Sequence, residues 1–236
     1  MRLTFLVAAD ALRVATEPPL AGIELASRGG VGVLPASASA GSDDGAQRSP
    51  IIGLRLLPNR QEGKNFKIHE FTADDDALAT AKYVTLESVH QLGIDPVAHV
   101  AIGIRTTVSQ MFRDRAVFIE CPIAGTDVRT AWQLLEAINL PNVKLAWPAD
   151  AAERPAVVVP TLNLRIGLLR VTRLDDKAKN FVKRLAGVGS SAYVVIDPPA
   201  GENRLAEAQA IAAALHEVVA PPKPKPKAPA KPVAKK

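Results

Sequence analysis

The chain has 236 residues, 47% of them apolar and only 4% aromatic, a length that one α/β barrel can fill with a core of Val, Leu, Ile and Ala. Its net charge of +5 comes from the last sixteen residues, Pro221 to Lys236, which hold six Lys and no acid; +5 less these six leaves the body at −1 and excludes a basic nucleic-acid-binding surface there. The single cysteine, Cys121, excludes an intrachain disulfide and a multi-thiolate metal site and fits a reducing, cytoplasmic setting, and no apolar run approaches the roughly 20 residues that span a bilayer.

Leu3 to Val7 reads as a buried strand rather than a signal segment, because Asp10 and Arg13 interrupt the apolar run. Gly22 to Ala26 is a second strand. Residues 27–50, with Gly29-Gly30, Ser37, Ser39, Gly41 and Asp43-Asp44, have loop chemistry and are expected to form a mobile loop. Ile51 to Leu57 is a third strand, stopped by Pro58. Asp74-Asp75-Asp76 offers caps for a helix running to about Leu92, with Leu78, Ala81, Thr85, Val89 and Leu92 near one face and Gly93 closing it.

Val97 to Ile104 and Ala116 to Cys121 are then expected as strands. Thr126 or Asp127 caps a helix in which Val128, Trp132, Leu135 and Ile138 share a face. Val143 to Trp147, Ile166 to Thr172 and Ala192 to Ile196 read as strands. They alternate with helices over about 151–162, from Asp175 or Asp176 to about 187, and from Glu202 or Asn203 to Val219.

Eight strands in alternation with helices predict a (β/α)8 TIM-type barrel over 1–220, with an open doubly wound sheet as the alternative. No Gly-x-Gly-x-x-Gly turn follows a strand and no Walker-type loop is present, which argues against a dinucleotide or P-loop site. Residues 221–236, rich in Lys, Pro and Ala, have almost nothing to bury and are expected to be a disordered, extended tail. Such a tail is either a spacer or a weak attachment to an anionic partner.

Four stretches carry a family resemblance: Val117-Phe-Ile-Glu-Cys-Pro122, Asp127 to Val143 with its Leu140-Pro-Asn-Val143 turn, Arg165 to Asp176, and Tyr193-Val-Val-Ile-Asp197 with the helix after it. Together, about 105 residues, they resemble the xylose-isomerase-like barrels, the sugar phosphate isomerases and epimerases. The resemblance implies a site at the carboxyl ends of the strands, where a divalent metal (Mn, Mg, Zn or Co) polarises a carbonyl or enediolate oxygen while a carboxylate moves a proton. It also implies a metal-ligand set of Glu, Asp, His and Glu from four successive strands.

On that pattern Glu120 matches the first position. Lys144-Leu-Ala-Trp-Pro148 supplies no Asp for the second, and Asp150 lies just beyond it. Arg170 and Thr172 stand where His is expected, and Asp197 replaces the last Glu. The resemblance thus makes Glu120 and Asp197 the acid–base pair and, with Asp150, the remaining metal ligands. Arg105 and Arg170 become holders of an anionic group, and Trp147 becomes a surface on which a sugar ring stacks or a piece of core.

Each of these residues also has a structural reading. Glu120 pairs with Arg105, Arg113 or Arg170; Asp197 caps the turn at Pro198-Pro199; Asp175 and Asp176 cap a helix; Cys121 is a buried thiol; Trp132 is core or pocket wall. Of the four histidines, His90 and His216 are expected on outward helix faces. His99 is expected at the far end of a strand, and His69 on a strand-end loop. Two functions follow: a divergent, degenerate sugar phosphate isomerase/epimerase-like barrel for a small polyhydroxylated or phosphorylated compound, or a non-catalytic barrel that binds a ligand or a protein and is tethered by its tail.

Overall fold

Period-two alternation of bulky apolar residues gives each strand two buried faces, and the chain closes them into a ring. The computed structural model describes residues 3–9, 16–28, 50–57, 80–87, 97–120 and 127–220. Its strands are β1 (Thr4–Ala9), β2 (Leu20–Arg28), β3 (Ile51–Leu57), β4 (Tyr83–Glu87), β5 (Ala116–Glu120), β6 (Val143–Pro148), β7 (Ile166–Val171) and β8 (Tyr193–Ile196). Each pairs in parallel with the next, and β8 pairs with β1, so the sheet is a closed eight-stranded barrel in chain order. The described helices are α1 (Val97–Met111), α2 (Val128–Ile138), α3 (Pro155–Leu162), α4 (Asp176–Gly187) and α5 (Arg204–Val219). Among the described residues no helix is long and apolar enough to cross a membrane.

Two cores result. The outer one lies between sheet and helices; in β8 it takes Val194 and Ile196, and from α4 it takes Phe181, Val182 and Leu185. The inner one fills the barrel with Leu6, Ile52, Tyr83, Phe118, Ala146, Leu168 and Val195, with Tyr193 against it. Both tyrosines of the chain are therefore barrel filling. The Tyr83 ring lies 4.5 Å from Tyr193 and 4.8 Å from Phe118, centroid to centroid. Two glycines make room for these rings. A Cβ on Gly53 would stand 2.1 Å from Cζ of Tyr83, and one on Gly167 2.3 Å from Cε1 of Phe118.

Capping begins the helices where the sequence places polar residues. Asp127 accepts from the backbone N–H of Thr130 at 2.7 Å, which also holds its carboxyl below the ordinary range, and Asp175 accepts from Ala178 N–H at 2.7 Å. Asn142, from the Leu-Pro-Asn-Val turn, donates to the carbonyls of Phe112 and Arg115 at 3.1 and 2.7 Å and pins the entry to β5 against the entry to β6.

Several expectations are corrected. Val97 to Ile104 is not a strand. Val100, Ala101, Ile104, Thr107 and Val108 are buried at helical spacing, and the helix continues to Met111. The fourth strand lies instead at Tyr83–Glu87, inside the segment expected as helix; Tyr, Val and Thr favour a strand, and Tyr83 and Thr85 face the barrel while Val84 and Leu86 join the outer core. Residues 27 and 28 belong to β2 rather than to a loop.

On α2 the buried residues are Val128, Ala131, Leu134, Leu135 and Ile138. Trp132 is 37% exposed and carries the Arg165 guanidinium 4.3 Å from its ring centroid. His99 is an exposed helix residue, and His216 packs edge-on against Phe5 at 5.9 Å instead of facing solvent. The rest of the 27–50 loop apart from Pro50, the caps at Asp74 to Asp76, Cys121, His69, His90 and the 221–236 tail lie outside the described residues.

Candidate functional site

Parallel closure sends the carboxyl ends of all eight strands to one rim, and six charged side chains gather at and below it. They are Glu24 on β2, Arg55 on β3, Glu87 on β4, Glu120 on β5, Arg170 on β7 and Asp197 just after β8. Burying a charge in a barrel is costly unless it is paired, and here every one is paired.

Arg170 stands at the centre, its side chain 5% exposed. Its Nη2 donates to Oε2 of Glu24 at 2.9 Å and to Oε2 of Glu120 at 3.0 Å. Its Nε donates to Oε1 of Glu120 at 2.9 Å, and its Nη1 reaches Oδ2 of Asp197 at 3.4 Å. Burial alone would pull this guanidinium down, but the negative charges of Glu24, Glu120 and Asp197 more than offset it and hold the group above its ordinary range.

Arg55 comes to Glu120 from the other side, donating through Nη2 to Oε1 at 3.0 Å, with Nε 3.0 Å from Oε2 but off line for a hydrogen bond. Glu120 therefore meets four guanidinium nitrogens at 2.9–3.0 Å. Arg55 also lies 3.5 Å from Glu87 and 3.7 Å from Asp197, and Arg204, at the start of α5, donates to Oδ1 of Asp197 at 2.7 Å.

Beneath this layer Glu24 is fully buried. It accepts from Thr85 Oγ1 at 2.8 Å and from the Tyr83 hydroxyl at 3.3 Å. Burial, followed by the nearby Glu24 charge, pushes the Tyr83 phenol well above its ordinary range. The Tyr193 phenol is raised by burial.

Glu120, Arg170 and Asp197 thus meet at one mouth. The other expected site residues do not. Arg105 is an exposed residue of α1, on the outer layer, because the segment expected as a strand is a helix. Arg113 is exposed at the opposite end of β5. Trp147 alternates outward from β6 into the core between sheet and helices, 2% exposed, so it offers no ring to the mouth. Asp150 lies in the turn after β6 with Thr172 Oγ1 3.4 Å away and does not join the Arg170 cluster.

Glu24, Arg55, Glu87 and Arg204 escaped the sequence reading. Glu24 and Arg55 carried a signal: each is a charge flanked on both sides by apolar residues in the interior of its strand, which an internal partner accommodates.

A divalent ion implied by the family resemblance does not fit these residues. The space between Glu120 and Asp197 holds the Arg170 guanidinium, the imidazole position is itself that arginine, and a cation beside it meets like charge. Among the described residues no three His, Cys, Asp or Glu are arranged to hold a metal ion.

Fold and mouth together define an α/β barrel with its polar site at the strand carboxyl ends. No family model and no curated protein matches the sequence. Among solved structures the chain is similar to a xylose isomerase domain protein from Alicyclobacillus acidocaldarius, with TM-score 0.52, 15% identity, and 72% of this chain and 77% of that one covered. It is also similar to D-psicose 3-epimerase from Clostridium cellulolyticum H10, solved with D-tagatose, with TM-score 0.57, 11% identity, and 92% and 99% covered. An L-ribulose 3-epimerase gives TM-score 0.60, 9% identity, and 92% and 95% covered. At these identities the likeness is one of fold, a closed eight-stranded TIM barrel like theirs.

Proposed function

We propose that this chain is a divergent, degenerate member of the sugar isomerase/epimerase-like barrels that binds a small polyhydroxylated compound at its mouth and has lost the metal-assisted chemistry. The observation that carries the reading is the Arg170 guanidinium lying among Glu24, Glu120 and Asp197. A carboxylate that is to take a carbon-bound proton needs a free oxygen within hydrogen-bond reach of it. Both oxygens of Glu120 are already engaged by Arg170 and Arg55. Asp197 is held by Arg204 on one oxygen and approached by Arg170 on the other.

Sugar hydroxyls both donate and accept, so they suit a rim on which Glu87 and Asp197 alternate with Arg55 and Arg204. A phosphorylated compound would engage Arg55 and Arg204 as guanidinium forks. The setting that fits the single cysteine is the cytoplasm, and the lysines of 221–236 offer a second, weak contact to an anionic partner.

Calorimetric titration with D-fructose, D-tagatose and their phosphates, with and without EDTA, tests this, together with an epimerisation assay in added Mn, Mg, Co or Zn. Binding that EDTA leaves unchanged, with no interconversion of epimers, is expected. Epimerisation that appears with a metal, or tightly held stoichiometric metal in the purified protein, refutes the reading.

A further inference from the structure

Three carboxylates, on β2, on β5 and just after β8, converge inside the mouth, and Glu24 is fully buried. Carboxylates drawn to one point, one fully buried and two largely so, repel unless a cation stands between them. A cation can be a bound ion or part of the chain. Here it is part of the chain: Oε2 of Glu24 and Oε2 of Glu120 lie 2.9 and 3.0 Å from the same Arg170 nitrogen, and Oδ2 of Asp197 lies 3.4 Å from the neighbouring one.

The structure assigns Arg170 as the resident cation of the barrel, a tethered replacement for a free ion within a shell formed by Glu24, Glu120 and Asp197. The mouth is set without metal for that reason. Removing the guanidinium vacates a position that the Glu24 and Glu120 oxygens share, and one hard divalent cation entering it has to draw these carboxylates in from a spacing that holds no metal as it stands. Oxygen ligands of Ca2+ sit at about 2.3–2.6 Å and those of Mg2+ at about 2.0–2.1 Å. Each Glu oxygen therefore has to close in by under ~1 Å from its distance to Nη2, which a glutamate side chain can do by adjusting its rotamers. Carboxylate-only ligands select Mg2+, Mn2+ or Ca2+ over softer metals. The inference concerns the shell alone and holds whether or not a sugar binds above it.

The test uses full-length protein freed of metal with EDTA and titrated with MnCl2, MgCl2 and CaCl2, read by thermal unfolding and by calorimetry. Wild-type protein and Arg170→Lys, which keeps a cation in place, are expected to show no response. Arg170→Ala is expected to melt lower and to regain stability saturably with one ion per chain. Adding Glu120→Gln to Arg170→Ala is expected to abolish that gain.

Should Arg170→Ala be unfolded without metal, refolding in MnCl2 to the wild-type circular dichroism spectrum supports the inference. Failure to refold while Arg170→Lys folds normally overturns it. A folded Arg170→Ala without a divalent response, or a wild-type chain that binds one ion, overturns it too.

Discussion

Glu24 offers the sharpest test of how the barrel interior is held. Its side chain has no exposure and accepts from Arg170 at 2.9 Å, Thr85 at 2.8 Å and Tyr83 at 3.3 Å. Glu24→Ala removes one member of a buried ion pair and leaves part of Arg170 and the Thr85 hydroxyl without an acceptor, a loss of about 3–5 kcal/mol. For a domain of this length that corresponds to a fall of roughly 6–20 °C in Tm. Glu24→Gln preserves shape and an acceptor for Thr85 but loses the charge opposite Arg170, and is expected to cost roughly 1.5–3 kcal/mol. Tyr83→Phe removes only the 3.3 Å bond, longer than a good O–H···O contact, and is expected to cost under about 1 kcal/mol. Urea unfolding followed by circular dichroism ranks the three. A Glu24→Ala variant within about 1 kcal/mol of wild type, or a Tyr83→Phe variant as damaging as Glu24→Ala, refutes the placement of Arg170 as the group Glu24 serves.

Gly53→Ala pushes a methyl to 2.1 Å from the Tyr83 ring, which Phe118 and Tyr193 hold on its other sides; a loss of about 1–3 kcal/mol is expected in the same unfolding assay, and a neutral result would show that the ring stack yields. The chain's only two tyrosines both have folded pKa values raised above the unfolded value near 10. The native state therefore binds more protons above that pH. The stabilisation is complete below about pH 10 and is lost as pH rises from there toward the folded values. Phenolate absorbance of the folded protein is expected to rise at a higher pH than that of the chain in denaturant, with buried Tyr83 ionising after half-buried Tyr193; the same titration in both states overturns the burial argument.

The second half of the barrel was legible because helix and strand signals there are local. Asp127 and Asp175 cap the helices at the residues expected, and β5 through β8 lie within a residue or two of their predicted limits. The first half misled for a physical reason. Leu78, Ala81, Thr85 and Val89 are spaced like a helix face, yet Tyr83-Val-Thr-Leu-Glu87 also alternates, and pairing with Gly53-Leu-Arg-Leu56 and Ala116 to Glu120 settles the choice. Val97 to Ile104, read as a strand, makes up the count of eight and sets Arg105 at its end, but the segment is helix and Arg105 lies on the outer layer. Trp147 does stand at a strand end, as expected of either a stacking surface or core, and the pleat turns it outward into the core. Glu24 and Arg55 became functional candidates only when strands far apart in sequence were brought together, 146 residues for the Glu24–Arg170 pair.

The charges of the mouth also divide by what water can do to them. Arg170 links β2, β5 and the end of β8 to β7, and Arg55 links β4, β5 and the end of β8 to β3, so the site residues are at the same time cross-braces of the barrel. The Arg170 contacts to Glu24 and Glu120 are shielded, and breaking either leaves an uncompensated buried charge. The Arg55–Glu87 pair, with side chains 21% and 30% exposed, and the Arg204–Asp197 pair, at 26% and 19%, face solvent and contribute little apiece. On the proposed function, a ligand entering the mouth exchanges rim pairs for its own hydroxyls at small cost, while the inner cluster stays as its floor. Recognition on that reading falls to the rim, where Glu87 and Arg204 form solvent-facing pairs. Substitutions at Glu87 and Arg204 are accordingly expected to change ligand affinity with little effect on unfolding, the reverse of substitutions at Glu24 and Arg170, whereas Arg55, which also holds Glu120, is expected to affect both.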